Sequence, residues 1–208
     1  MALIKRILIF LLSLVFIIIF FSVTTSLYAN DIKKFKIEGM SLGDSVIDHF
    51  AGRDIVNNII SSNDNRSDEF HISSFYKHEN FTKFDEIYLT IQSKSEEILF
   101  PIGGISGIIF FKQNIEECYV EKDKLVKELG TIFKKEIESG ITKVKWVSKA
   151  HPGDLSGKSH YEQSEFFFPW GYARVTCYDM GIQSGTSDAL AIDIFTNKVD
   201  EWLQMKNA

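Results

Sequence analysis

The chain has 208 residues, 45% hydrophobic and 25% charged, with 13 glycines and three prolines, which excludes collagen-like, low-complexity and disordered classes. Lys and Arg total 23 against 28 Asp and Glu, a net charge of −5, so no nucleic-acid partner is expected. Two cysteines are too few for a disulfide scaffold or a structural zinc site, and no metal or cofactor is expected.

At the N-terminus, Lys5 and Arg6 precede an apolar run from Ile7 to Phe21, broken by Ser13. Small polar residues 22–26 follow, and then Leu27-Tyr28-Ala29. A positive segment, an apolar segment and a small residue at the cut predict a signal peptide over residues 1–29, cleaved after Ala29 or, second, after Ser26. Left uncleaved, residues 7–23 would form an inner-membrane anchor, although a spanning helix wants about 20 apolar residues. Both readings send the chain to the periplasm or beyond. No cysteine lies near the cut, so a lipoprotein anchor is not expected. The remaining residues, 30–208, carry 21 basic against 28 acidic side chains, or −7. In an oxidising compartment Cys118 and Cys177 are expected to pair, closing a loop worth about 4 kcal/mol.

Ser41 with Asp44 has the form of a capping box, and Leu42, Val46, Ile47 and Phe50 then share one helical face. Asp54 can cap a second short helix carrying Ile55, Ile59 and Ile60. Residues 61–68 read as a loop. Phe70, Ile72 and Tyr76 alternate with polar residues, as do Ile87, Leu89 and Ile91, which predicts two strands. Pro101 to Gly107 is glycine-rich without a phosphate-loop order, and it reads as a turn with a β-bulge. Gly107 to Phe111 reads as a central strand buried on both faces.

Leu125, Leu129, Ile132, Phe133 and Ile137 recur at helical spacing, and Gly140 supplies the stop. Lys143 to Val147 returns to strand alternation, and Ser148 to Gln163 reads as a polar loop. Phe166 to Tyr178 and Ala189 to Phe195 read as two strands, and Val199, Trp202 and Leu203 mark a closing helix. The order and the short connections predict an α+β class: one domain, an antiparallel β-sheet with helices packed on one face.

Three constellations could carry chemistry. His151 and His160 flank a loop with Asp154 and Glu162, ligand types without a known metal spacing, so a solvated loop is the simpler reading. Phe166-Phe167-Phe168-Pro169-Trp170-Gly171-Tyr172 is an aromatic run whose alternation sends Phe167 to the face opposite Phe166 and Phe168. Phe167, Trp170 and Tyr172 are therefore the candidate ligand surface. Gly43-Asp44-Ser45 resembles the nucleophile block of the GDS-type serine hydrolases, which would make Ser45 a nucleophile. That family takes its base from an Asp-x-x-His near the C-terminus, whereas the last histidine here is His160.

Residues Phe35 to Phe50, with Ile37-Glu-Gly-Met-Ser-Leu-Gly-Asp-Ser45 inside them, resemble the opening of a group of small exported bacterial proteins. Phe84-Asp85, Ile105-Ser106-Gly107-Ile108 and Cys118 extend the likeness along the chain. The resemblance implies an exported bacterial protein and brings no activity or catalytic residue. A weaker likeness is to the outer-membrane assembly lipoproteins of the BamE type, where a Gly-Met precedes a helix and an antiparallel sheet. The function expected is a periplasmic domain that binds a small molecule or an envelope protein without transforming it. The alternatives are a hydrolase using Ser45 and an envelope structural or assembly protein.

Overall fold

The computed structural model describes residues 35–60, 69–93, 99–154 and 156–205. The predicted signal peptide and the loop over 61–68 lie outside the described residues. Seven strands form one antiparallel sheet: β1 (Phe70–Tyr76), β2 (Glu86–Gln92), β3 (Ile102–Phe110), β4 (Lys143–Ala150), β5 (His160–Phe168), β6 (Gly171–Asp179) and β7 (Ala189–Thr196). Among the described residues four α-helices accompany it: α1 (Gly52–Asn57), α2 (Ile115–Ile132), α3 (Lys134–Glu138) and α4 (Asn197–Gln204). The α+β class stands. The strand order is β1-β2-β3-β7-β6-β5-β4, so the last strand in sequence lies at the centre. Among the described residues, no helix is long and apolar enough to cross a membrane.

Helices pack on both faces of the sheet, not on one. Helix α2 lies against β6 and β7 and is bonded to the sheet through Cys118–Cys177, the disulfide expected from the sequence. Cys118, Leu125 and Leu129 are its buried stripe, and Phe133 follows at the break before α3. Gly140, at φ +73°, ends the helical region where the spacing placed the stop. The second helix face that the sequence reading missed belongs to α4. Val199 and Trp202 turn inward onto Phe70 and Phe195, on the side of the sheet away from α2, with Ile72, Tyr172 and Leu203 around them. Thr196 caps α4, its hydroxyl accepting from the Val199 amide.

Residues 35–57 complete the α2 side. Ile37 and Met40 bridge across a tight turn in which Glu38 and Gly39 take φ of +49° and +81°, a conformation that favours glycine at the second position. No long helix follows. Ser41 N donates to Asp44 Oδ2 at 2.9 Å, the reverse half of a capping box, but only a 3₁₀ turn forms at Val46–Asp48. The backbone is committed elsewhere: Gly43 N donates to Ile102 O, Ile102 N to Asp44 O, and Val46 N to Phe100 O. Leu42, Val46 and Phe50 are buried, with Phe50 stacked on Phe75 at 4.1 Å, while Ile47 stays exposed. Ala51, not Asp54, stands at the N-cap of α1, and Ile59 and Ile60 fall beyond its end.

The glycine-rich stretch is strand, not turn. Gly104 and Gly107 lie in β3 because the rings of Phe195 and Phe84 rest where a Cβ would project. The bulge is nearby, where the β2 register shifts between Thr90 and Ile91. Gly107 to Phe110 is not buried on both faces; Ile108 and Ile109 are half-buried and Phe110 is exposed. The predicted strand from Phe166 to Tyr178 is instead a hairpin turning at Pro169-Trp170, and the polar loop shrinks to 151–159.

Candidate functional site

The register places alternate residues of every strand on known sides. Ala173, Val175 and Cys177 of β6 face α2, so Tyr172, Arg174, Thr176 and Tyr178 face the opposite side. That side is covered at one end by α4 and is polar along its middle. Ser74, Tyr88, Ser106, Asp193, Arg174, Glu165 and Lys145 stand opposite one another in an unbroken row across all seven strands.

Asp193 organises the row. It is buried in the central strand, and its Oδ1 accepts from the Ser106 hydroxyl at 2.7 Å. Its Oδ2 accepts from Arg174 Nε at 3.0 Å and Nη2 at 2.7 Å. Burial alone would lower the basicity of Arg174, but the Asp193 carboxylate outweighs it and raises it above the ordinary value. The guanidinium also lies 5.6 Å from the Tyr172 ring centre. Burial first, and then Asp193, pushes the Tyr178 hydroxyl above its ordinary range.

Beside this pair, Arg174, Tyr178, Tyr161, Gln163, His151 and Pro152 line a cleft of about 230 Å³. Tyr161 and Tyr178 are cross-strand partners with ring centres 6.3 Å apart, and His151 meets Tyr178 edge-on at 5.8 Å. The 151–159 loop is held by Asp154. Its Oδ2 accepts from the Ser159 hydroxyl and amide, and its Oδ1 accepts from the Ser156 amide. These bonds, the Ser159 hydroxyl foremost, hold the Asp154 carboxyl well below the usual carboxylate range. The cleft thus presents a charged fork, two phenols, an amide and an imidazole, with ring faces as walls. Its lining contains no serine, cysteine or carboxylate.

The aromatic trio is divided. Phe167 and Tyr172 are paired across β5 and β6 on the open face, Phe167 being 42% exposed. Tyr172 is half-buried against Phe195. Trp170 lies with the α2 side, stacked on Phe168 at 4.5 Å and next to Phe133. Ser45 donates its hydroxyl to the Leu99 carbonyl, not to a histidine, and Asp44 meets His49 at 3.7 Å. His160 Nδ1 is 3.2 Å from the Lys158 carbonyl, while Glu162 turns to the helix side and pairs with the buried Lys122 at 3.1 Å. Among the described residues, no group of three His, Cys, Asp or Glu side chains is placed to hold a metal ion.

Arg174 and Asp193 were missed in the sequence, although each left a signal. Asp193 is the one acid within the apolar run Ala189 to Phe195, and Arg174 is one of only four arginines in a lysine-rich chain. No protein-family model, no curated protein and no solved structure matches the chain.

Proposed function

We propose that this is an exported bacterial protein whose folded domain binds a small polar ligand in the Arg174–Tyr178 cleft without transforming it. The observation that carries the reading is the pre-set guanidinium. Asp193 fixes its orientation, so a ligand meets an ordered donor at little cost in side-chain entropy. The phenols and Gln163 supply further donors, and the Tyr161 and Tyr178 rings supply apolar walls, the mixture common in small-molecule sites. Export is supported by the charged and apolar N-terminal segments and by the disulfide, a crosslink that persists in oxidising compartments.

Native mass spectrometry of protein purified from the envelope fraction tests the ligand. The wild type carries a discrete small-molecule adduct, and Tyr161→Ala and Gln163→Ala lose it. An adduct unaffected by both substitutions, or no adduct on the wild type, contradicts the reading. The intact mass of the same sample tests cleavage, a chain beginning at Asn30 being expected, and recovery of the full-length chain from the cytoplasm instead of the envelope would contradict export.

A further inference from the structure

The two edges of the sheet are treated differently. Outside β1, residues 58–60 run alongside the strand: Ile60 N donates to Ile72 O, Ser74 N to Asn58 O, and Ile59 bridges Ser73. Strand β4 ends the other edge, and among the described residues no backbone hydrogen bond reaches its outer side. In an antiparallel pair every second residue points its N–H and C=O away from its neighbour, so β4 offers a row of free donors and acceptors.

The side chains of β4 are sorted by face. Lys143, Lys145 and Lys149 share the open face, and Val144 and Trp146 share the other. Trp146 is 62% exposed and Val144 50%, an uncommon presentation for apolar side chains in mid-strand. Lys145 meets Glu165 at 3.9 Å; among the described residues no carboxylate pairs with Lys143 or Lys149. The strand contains no acidic residue, although the whole chain is net negative. Lysines along an edge discourage pairing with a second copy of the same strand, because like charges would face each other. They do not discourage an acidic strand.

We propose that β4 is a docking edge for an extended, acidic segment of a partner protein, which adds to the sheet as an eighth strand. Main-chain bonds to β4 hold the segment. Its acidic side chains lie over Lys143, Lys145 and Lys149, and its alternate apolar side chains cover Val144 and Trp146. The site borders the Arg174 cleft, Lys149 being paired with Tyr161, but shares no lining residue with it and stands or falls without it.

Two eight-residue peptides test the proposal, one alternating Glu with Val and the other Lys with Val, read by amide hydrogen exchange and Trp146 fluorescence. In the free protein every second β4 amide exchanges rapidly. The Glu-Val peptide protects those amides and shifts the Trp146 emission to the blue, and the Lys-Val peptide does neither. Lys143→Glu combined with Lys149→Glu weakens the binding about tenfold or more, both positions being exposed and opposite Phe167 and Tyr161 instead of a carboxylate. Protection by neither peptide or equally by both overturns the proposal. So does an edge already protected in the free chain, or a concentration-dependent dimer broken by Trp146→Asp.

Discussion

Asp193 and Arg174 form a salt bridge in which one partner is 8% exposed and the other 28%. Removing one member strands the other, which costs about 3 kcal/mol for a buried pair. Asp193→Asn is therefore expected to lower stability by that order in chemical denaturation, whereas Asp193→Leu with Arg174→Met loses less than the sum of its parts. A purely additive double mutant would show that the two charges are not coupled. Glu38 gives a pH-dependent counterpart. Burial works against its charged form, but the amides of Lys83, Thr82 and Phe84 and the Thr82 hydroxyl prevail and depress its pKa below the ordinary 4.5. A depressed carboxyl contributes its stability fully above the unfolded value and loses it as pH falls through the folded one. Glu38→Gln should thus destabilise the protein at neutral pH and flatten its loss of stability below pH 4.5. An unchanged acid limb would remove Glu38 from that role. Of these residues the cysteines were legible, because compartment and count leave one pairing. Arg174 and Asp193 were not, because their meeting depends on a strand register between β6 and β7 that no local pattern encodes.

At the level of elements, periodicity worked where one face decided the outcome. Helix α2 kept Leu125 and Leu129, with Phe133 just past its end, and β2 kept Ile87, Leu89 and Ile91 buried, whereas in β1 the buried residues are Phe70, Ser73 and Phe75 and Tyr76 is exposed. It failed where backbone bonding to a distant segment prevailed over local spacing, as at Leu42 to Phe50, where Gly43, Asp44 and Val46 bond to Ile102 and Phe100. It failed again at Pro169-Trp170, where a tight hairpin inside an aromatic run turned one long strand into two and divided the proposed aromatic surface. The disulfide ties α2 to β6 over a sequence separation of 59. On the chain-entropy estimate, Cys118→Ala with Cys177→Ala should lose about 4 kcal/mol, measured as a lower denaturation midpoint. A loss under about 1 kcal/mol would mean that the unfolded chain is already compact around these residues.

For the whole molecule, the sheet consists of two three-stranded meanders, β1-β2-β3 and β4-β5-β6, joined only by β7 between β3 and β6. A chain ended at Asp188 would expose both inner edges and lose α4 with the Phe70, Phe195, Val199 and Trp202 cluster. Such a chain is expected to show no cooperative unfolding transition in calorimetry, whereas a chain ended at Met205 should melt like the full one. A cooperative transition in the shorter chain would show that one meander folds alone.

That arrangement also sets a timetable. A polypeptide emerges from the ribosome N-terminus first, and here the keystone strand follows both meanders along the chain. Until residues 189–196 arrive, β3 and β6 have no strand between them, and the Asp193 carboxylate that anchors Arg174 is not yet present. The architecture postpones completion of the sheet until both meanders have been made, so neither half can close it early.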